Sequence, residues 1–121
     1  RKMNDSSEVF FKKAIEYKAN MSNAWEGLGS IYLDKNDPTT AKKNFLRSAE
    51  LGNQGVYLYF NLGRTYEMLN YPDSALMYYN VATQINPNFP YPYKAMGLIL
   101  QKQGNTQAEQ YLAKARSLGL P

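Results

Sequence analysis

Large apolar residues recur along this chain at intervals of three and four positions, and each set contains a glycine at the same place. The clearest set is Tyr59, Leu62, Gly63 and Tyr66. Such spacing puts the side chains on one face of an amphipathic helix. The glycine removes a side chain from the middle of that face, so we expect a second helix to approach closely there.

The same set occurs three times with a period of 34 residues. The copies before and after it are Trp25, Leu28, Gly29 and Tyr32, and Tyr93, Met96, Gly97 and Leu100. A second run supplies the partner helix, and its first two copies are Ala41, Phe45 and Ser48, and Ala75, Tyr79 and Ala82. A fixed period of this length predicts a protein built of repeated helix pairs.

The pattern Trp25-x2-Leu28-Gly29-x2-Tyr32, then Ala41-x3-Phe45 and, in the next copy, Pro87, resembles the tetratricopeptide repeat. Longer two-helix repeats have units nearer forty residues, and the fixed offset argues against them. The resemblance implies an all-α fold, a right-handed superhelical stack of antiparallel helix pairs (an α-solenoid) with an extended concave surface.

The repeat register divides the chain into four parts of one solenoid domain. We expect residues 1–21 to be the second helix of a truncated preceding repeat, followed by repeats at 22–55, 56–89 and 90–121. The last repeat has an inter-helix turn that is one residue shorter. A capping box in which Asp5 accepts from early amides and Glu8 reaches back predicts a helix start near Ser6. Thr106 with Glu109 predicts a second capping box.

The apolar residues of the last helix are relevant to self-association, because solenoids normally end in a polar closing helix. Tyr111, Leu112 and Leu118 are expected to leave an apolar end exposed. Truncation of a longer array and self-association through this end are the two explanations that stay open.

Composition limits the chemistry available to the chain. Its 121 residues include neither cysteine nor histidine, so disulfides, thiol nucleophiles and imidazole bases are excluded. The ten acidic residues are scattered, and no spacing places two carboxylates as an acid and base pair. We therefore predict no enzyme, no catalytic residue, no metal site and no cofactor. The sequence has no run of about 18 apolar residues that would predict a transmembrane helix, and it leaves the cellular compartment open.

The expected binding residues lie on the first helix of each repeat, about 100° around from the buried stripe. They are Asn23, Glu26, Ser30 and Leu33 in the first repeat, Tyr57, Phe60, Arg64 and Glu67 in the second, and Tyr91, Lys94, Leu98 and Gln101 in the third. The resemblance implies that these positions bind an extended peptide or a helix of a partner protein. Arg64 and Lys94 favour a partner with acidic or carboxylate groups.

Asn61 matches an asparagine that family members often use to hold a peptide's backbone. The alternative role of Asn61 is a hydrogen bond within the array. For Tyr57, Phe60 and Tyr91 the alternative to peptide binding is packing between neighbouring repeats. The clamp that family members use for the C-terminal carboxylate of heat-shock chaperones is matched here at Asn61 alone. An alignment of this clamp that uses a repeat upstream of this sequence stays an open alternative.

Three functions are compatible with these features. The leading hypothesis is a non-catalytic module that binds a protein or peptide in the concave groove. The alternative is a structural spacer or self-assembly module within a larger repeat protein. RNA binding is the third, but a net charge of +4 from 14 basic and 10 acidic residues is a small basic excess.

Overall fold

The computed structural model describes residues 2–17 and 21–121, and the side chains of residues 7–16 and 21–121. Within those ranges the chain forms seven helices and no strand. The helices are α1 (Lys2–Tyr17), α2 (Ser22–Asp34), α3 (Pro38–Glu50), α4 (Val56–Met68), α5 (Pro72–Ile85), α6 (Tyr91–Lys102) and α7 (Ala108–Ser117). Consecutive helices pack as the pairs α2 with α3, α4 with α5 and α6 with α7. The predicted all-α class built of helix pairs is confirmed.

The chain divides into two compact units. The N-terminal unit, Arg1–Gln54, contains α1 packed against the pair α2 and α3. The C-terminal unit, Gly55–Pro121, contains the pairs α4 with α5 and α6 with α7, with α5 packed against α6. The repeat boundaries after residues 21, 55 and 89 stay predictions. None of the helices within residues 2–17 and 21–121 is both long and apolar enough to cross a membrane.

The first helix of each pair ends in the same way, at positions 34 residues apart. Asn36, Asn70 and Gly104 have φ values of 63°, 65° and 70°. The amide of the next residue donates to a carbonyl five residues earlier, with bonds from Asp37 to Tyr32 of 2.8 Å, from Tyr71 to Tyr66 of 2.9 Å and from Asn105 to Leu100 of 2.9 Å. Asparagine and glycine tolerate this left-handed conformation, so the three turns close alike.

The second helices of the first two pairs each begin at a proline. Pro38 and Pro72 occupy the first turns of α3 and α5, where a missing N–H leaves nothing unpaired. The Asp37 carboxylate accepts a hydrogen bond from the Thr40 N–H at 3.2 Å. After α3, Gly52 has a left-handed conformation with a φ of 96°, which is common for a glycine that follows a helix.

Two predicted capping boxes are wrong. Helix α1 begins at Lys2 rather than near Ser6, and the Glu8 carboxylate accepts hydrogen bonds from the Tyr32 hydroxyl at 2.7 Å and from Lys35 Nζ at 2.5 Å. Glu8 is thus directed at α2 instead of its own helix start. The side chains of Asp5 and Ser6 lie outside the described residues.

The second wrong capping box is that of α7. This helix begins at Ala108, and the preceding Gln107 N–H donates to Asn105 Oδ1 at 2.8 Å. The Glu109 carboxylate pairs with Arg116 on the same helix. The turn is therefore closed by Asn105, and Thr106 is not the capping residue.

The glycines of the repeat pattern lie where the two helices of each pair touch. A carbon added to Gly29 would lie 2.5 Å from the ring of Phe45, and one added to Gly97 would lie 2.6 Å from Leu112. Gly63 is covered by the ring of Tyr79 in the same way. The expected close approach at glycine is confirmed. Tyr111, Leu112 and Leu118, which we expected to be exposed, are each half-buried.

Candidate functional site

Predicted binding residues of the C-terminal unit lie on α4 and α6, and one ring contact joins the two helices. Tyr57 on α4 and Tyr91 and Leu98 on α6 are 60%, 50% and 47% exposed. Arg64 and Lys94 are also exposed. The rings of Phe60 and Tyr91 lie 6.3 Å apart and join the two helices. We call the surface formed by Tyr57, Phe60, Arg64, Tyr91, Lys94 and Leu98 the α4/α6 face.

Four aromatic rings pack together at the N-terminal ends of these two helices. Phe89 lies at their centre, 5.2 Å from the ring of Tyr57, 5.6 Å from Phe60 and 5.3 Å from Tyr91. Contacts between repeats, the alternative weighed for Tyr57, Phe60 and Tyr91, therefore do occur. Tyr57 and Tyr91 nevertheless keep half or more of their surface exposed.

Phe89 was missed by the sequence analysis. It lies in the loop before α6, where helical periodicity assigns no face to a side chain. The available signal was its setting, a large apolar residue between Asn88 and Pro90 in the loop before α6. Such a residue in a turn needs an apolar surface to pack against.

Arg64 is held in place by its own helix. Its guanidinium carbon lies 6.0 Å from the centre of the Phe60 ring, and Nη1 donates to Asn61 Oδ1 at 3.3 Å. A guanidinium over an aromatic face is attracted by the ring's electrons. The Asn61 oxygen thus has an intrahelical partner, and Arg64 is positioned with donors left for a ligand.

Glu67 lies one turn beyond Arg64 on α4 and accepts a hydrogen bond from the Tyr79 hydroxyl. The side chain of Tyr79 is fully buried. Burial raises the pKa of the Tyr79 hydroxyl, and the hydrogen bond to the Glu67 carboxylate raises it further. The hydroxyl therefore keeps its proton and acts as a permanent donor to Glu67.

A cleft opens beside Glu67, between the C-terminal ends of α4 and α6. It has a volume of about 270 Å³ and is lined by Glu67, Asn70, Pro72, Ile99, Lys102 and Gln103. Its walls combine apolar carbon with one carboxylate, one ammonium group and two amides. Pockets that combine apolar walls with a few convergent polar groups are typical ligand sites.

The predicted residues of the N-terminal unit are less accessible. Asn23 is exposed and Ser30 is half-buried. The Glu26 carboxylate accepts a hydrogen bond from Asn53 Nδ2 at 2.7 Å. Leu33 is only 7% exposed, so our expectation that it lines a binding surface is wrong. Its side chain belongs to the packed interior of this unit.

Comparison with known proteins identifies the repeat. The tetratricopeptide repeat model matches residues 22–51 and 56–89. Human protein O-mannosyl-transferase TMTC3 is 24% identical over 104 residues, which cover 85% of this chain and 11% of that protein. Anaphase-promoting complex subunit 3 of Schizosaccharomyces pombe is 32% identical over 82 residues, which cover 68% of this chain and 12% of that protein. The chain thus spans about a tenth of these relatives.

Solved structures share the fold. A crystal structure of MamA superimposes with a TM-score of 0.88 at 23% identity, covering 95% of this chain and 68% of that one. YrrB, described as a TPR protein with an unusual peptide-binding site, superimposes with a TM-score of 0.86 at 24% identity. That match covers 98% of this chain and 61% of YrrB.

Proposed function

Because this chain belongs to the tetratricopeptide repeat family, whose repeats serve as protein–protein interaction modules, we propose that its α4/α6 face binds a peptide or helix of a partner protein. The partner segment carries at least one acidic or carboxylate group. The observation that carries this proposal is the exposure of aromatic rings and cations on α4 and α6, two helices that the contact between Phe60 and Tyr91 joins. The family is generally a non-catalytic repeat fold, and the proposal requires no chemical step.

The aromatic part of the face supplies contact area. Tyr57 and Tyr91 expose much of their rings while Phe89 packs against both from behind. Rings that are already held lose little conformational freedom when a ligand covers them. Their apolar faces and polar hydroxyls suit an amphipathic peptide. A cluster of exposed large apolar groups is also a common mark of an interaction surface.

The cationic part of the face supplies selectivity. Arg64 is pre-positioned over Phe60, and its planar guanidinium can bind both oxygens of a carboxylate. Lys94 on α6 adds a second exposed positive charge to the same face. Two cations beside an apolar surface favour a peptide that combines an acidic residue with apolar ones.

We expect the residues of the N-terminal unit to contribute less to peptide binding. Asn23 and Ser30 on α2 are further candidate contacts. The Glu26 carboxylate is a weaker candidate because Asn53 already donates to it. YrrB's described peptide-binding site is a property of that protein, and it supports peptide binding here only through the shared fold.

Selection from a random peptide library displayed on phage tests the proposal. The test variant is Arg64→Glu/Lys94→Glu. The control is Lys13→Glu/Lys43→Glu, which changes the net charge equally at exposed sites on α1 and α3. We expect the wild type and the control to enrich acidic peptides and the test variant to bind those peptides at least about tenfold more weakly. Equal binding by all three proteins would contradict the proposal.

A further inference from the structure

Tyr79 and Glu67 differ in residue type from the residues at the equivalent positions of the other two repeats. The residue that covers the repeat glycine is Phe45 in the first pair and Leu112 in the third, and neither carries a hydroxyl. The residues 34 positions before and after Glu67 are Leu33 and Gln101, and neither carries a charge. Packing over the glycine thus requires an apolar group alone. The hydroxyl and the carboxylate are additional features of the second pair.

The hydroxyl fixes the carboxylate at the surface. The Tyr79 hydroxyl, on a fully buried side chain, donates to Glu67 Oε1, while Glu67 itself is exposed. An exposed glutamate normally loses side-chain entropy when it binds a cation, which makes most surface ion pairs weak. Here part of that ordering is already present before a ligand arrives. The second carboxylate oxygen, Oε2, can accept hydrogen bonds from a ligand.

The cleft beside Glu67 has the chemistry to take a long basic side chain. Pro72 and Ile99 provide apolar wall for a methylene stem, and the amide oxygens of Asn70 and Gln103 can accept N–H donors. Lys102 also lines the cleft and leaves it with one negative and one positive charge. Glu67 supplies the one negative charge of this lining, so a bound cation is received at its carboxylate.

The geometry points to Glu67, positioned by Tyr79, as the subsite for one lysine or arginine side chain of the bound peptide. This inference rests on the proposed function, because it assigns a second charged residue to the same partner. Glu67 lies three residues after Arg64, or about 4.5 Å along the axis of α4. The partner segment thus carries an acidic and a basic residue close together, with the acidic one at Arg64.

Selection from the same displayed library separates this inference from the proposed function. The proteins compared are the wild type, Glu67→Gln and the control Asp73→Asn, which removes an exposed carboxylate from α5 of the same unit. We expect the wild type and the control to enrich peptides with lysine or arginine near an acidic residue. Glu67→Gln should keep the acidic preference and lose the basic one.

Calorimetry on one enriched peptide tests the role of the tyrosine. The peptide is compared with a version in which its basic residue is replaced by methionine. We expect the wild type to prefer the basic peptide by about three- to tenfold, and Tyr79→Phe to show a smaller preference with unchanged affinity for the methionine version. A purely structural role for the hydroxyl would weaken both peptides alike.

The remaining outcomes distinguish failure of the Glu67 subsite from failure of the proposed function. Acidic peptides without a basic preference, or a basic preference that persists in Glu67→Gln, would overturn the subsite and leave the proposed function standing. A full basic preference in Tyr79→Phe would overturn the positioning role of Tyr79. If no acidic peptide is enriched on the wild type, the proposed function fails and the subsite fails with it.

Discussion

The ring of Tyr79 lies against Gly63, and the ring of Phe45 lies against Gly29 in the same way. In both pairs a carbon added to the glycine would come closer to the ring than real side-chain carbons do. Phe45 and Tyr79 are both fully buried. In these two pairs the contact between the helices therefore depends on one ring filling the space above one glycine.

We expect Gly63→Ala to lower the free energy of unfolding by about 1–3 kcal/mol. The added methyl group meets the Tyr79 ring, which cannot withdraw because it is fully buried in the core. The better helix propensity of alanine offsets only about 1 kcal/mol. Urea unfolding followed by circular dichroism measures the change, and a variant as stable as the wild type would contradict this packing.

At the turn glycine Gly104, in contrast to Gly63, we expect one substitution to be tolerated. It has a φ of 70° and open space around its α-carbon, and asparagine holds the equivalent left-handed position in the first two pairs. Gly104→Asn should therefore change the free energy of unfolding by less than about 0.5 kcal/mol. Gly104→Val should lower it by about 1–2 kcal/mol, since a β-branched residue is strained there. Equal stabilities for the two variants would show that backbone strain is unimportant at this turn.

Glu8 makes the stability of the N-terminal unit depend on pH. Hydrogen bonds from Lys35, Tyr32 and Lys12 hold the pKa of its carboxyl at about 2, below the usual value of 4.5. Because the pKa is lower in the folded chain, this stabilisation is fully present above about pH 4.5 and is lost as the pH falls towards 2.

Thermal unfolding of Glu8→Gln at a series of pH values tests this contribution. We expect the variant to melt below the wild type at pH 7 and the difference in Tm to shrink between pH 4.5 and 2. Glu16→Gln, which removes an exposed carboxylate from the same helix, is the control. A Tm difference for Glu8→Gln that is independent of pH would mean that its charge is not the cause.

Periodicity predicted the features of this chain that each repeat shares. The 34-residue offset predicted the helix pairs and the close approach at the glycines, because both follow from the periodic positions of residues along each helix. It could not predict that Phe89 joins Tyr57 to Tyr91, or that Glu8 contacts α2. These contacts depend on how side chains from different elements meet, and that is set by packing. The capping box at Glu8 failed for the same reason, whereas the one at Glu109 failed because this residue pairs with Arg116 on its own helix.

Within the α4/α6 face, Phe60 and Tyr57 should differ in their roles. Phe60 is half-buried against Tyr79, Phe89 and Tyr91. We expect Phe60→Ala to lower the free energy of unfolding by about 1–3 kcal/mol. Tyr57 is 60% exposed, and Tyr57→Ala should cost less than about 1 kcal/mol while weakening peptide binding. Urea unfolding and calorimetry separate the two effects, and the reverse order of stabilities would contradict the assignment.

The most direct test of peptide binding at the α4/α6 face is to map a selected acidic peptide onto the protein by amide chemical shifts in NMR. We expect the largest shift changes to fall on α4 and α6, around Tyr57, Arg64, Tyr91 and Lys94, and to disappear in Arg64→Glu/Lys94→Glu. Changes concentrated on α5 and α7, with α4 and α6 unaffected, would contradict binding at this face.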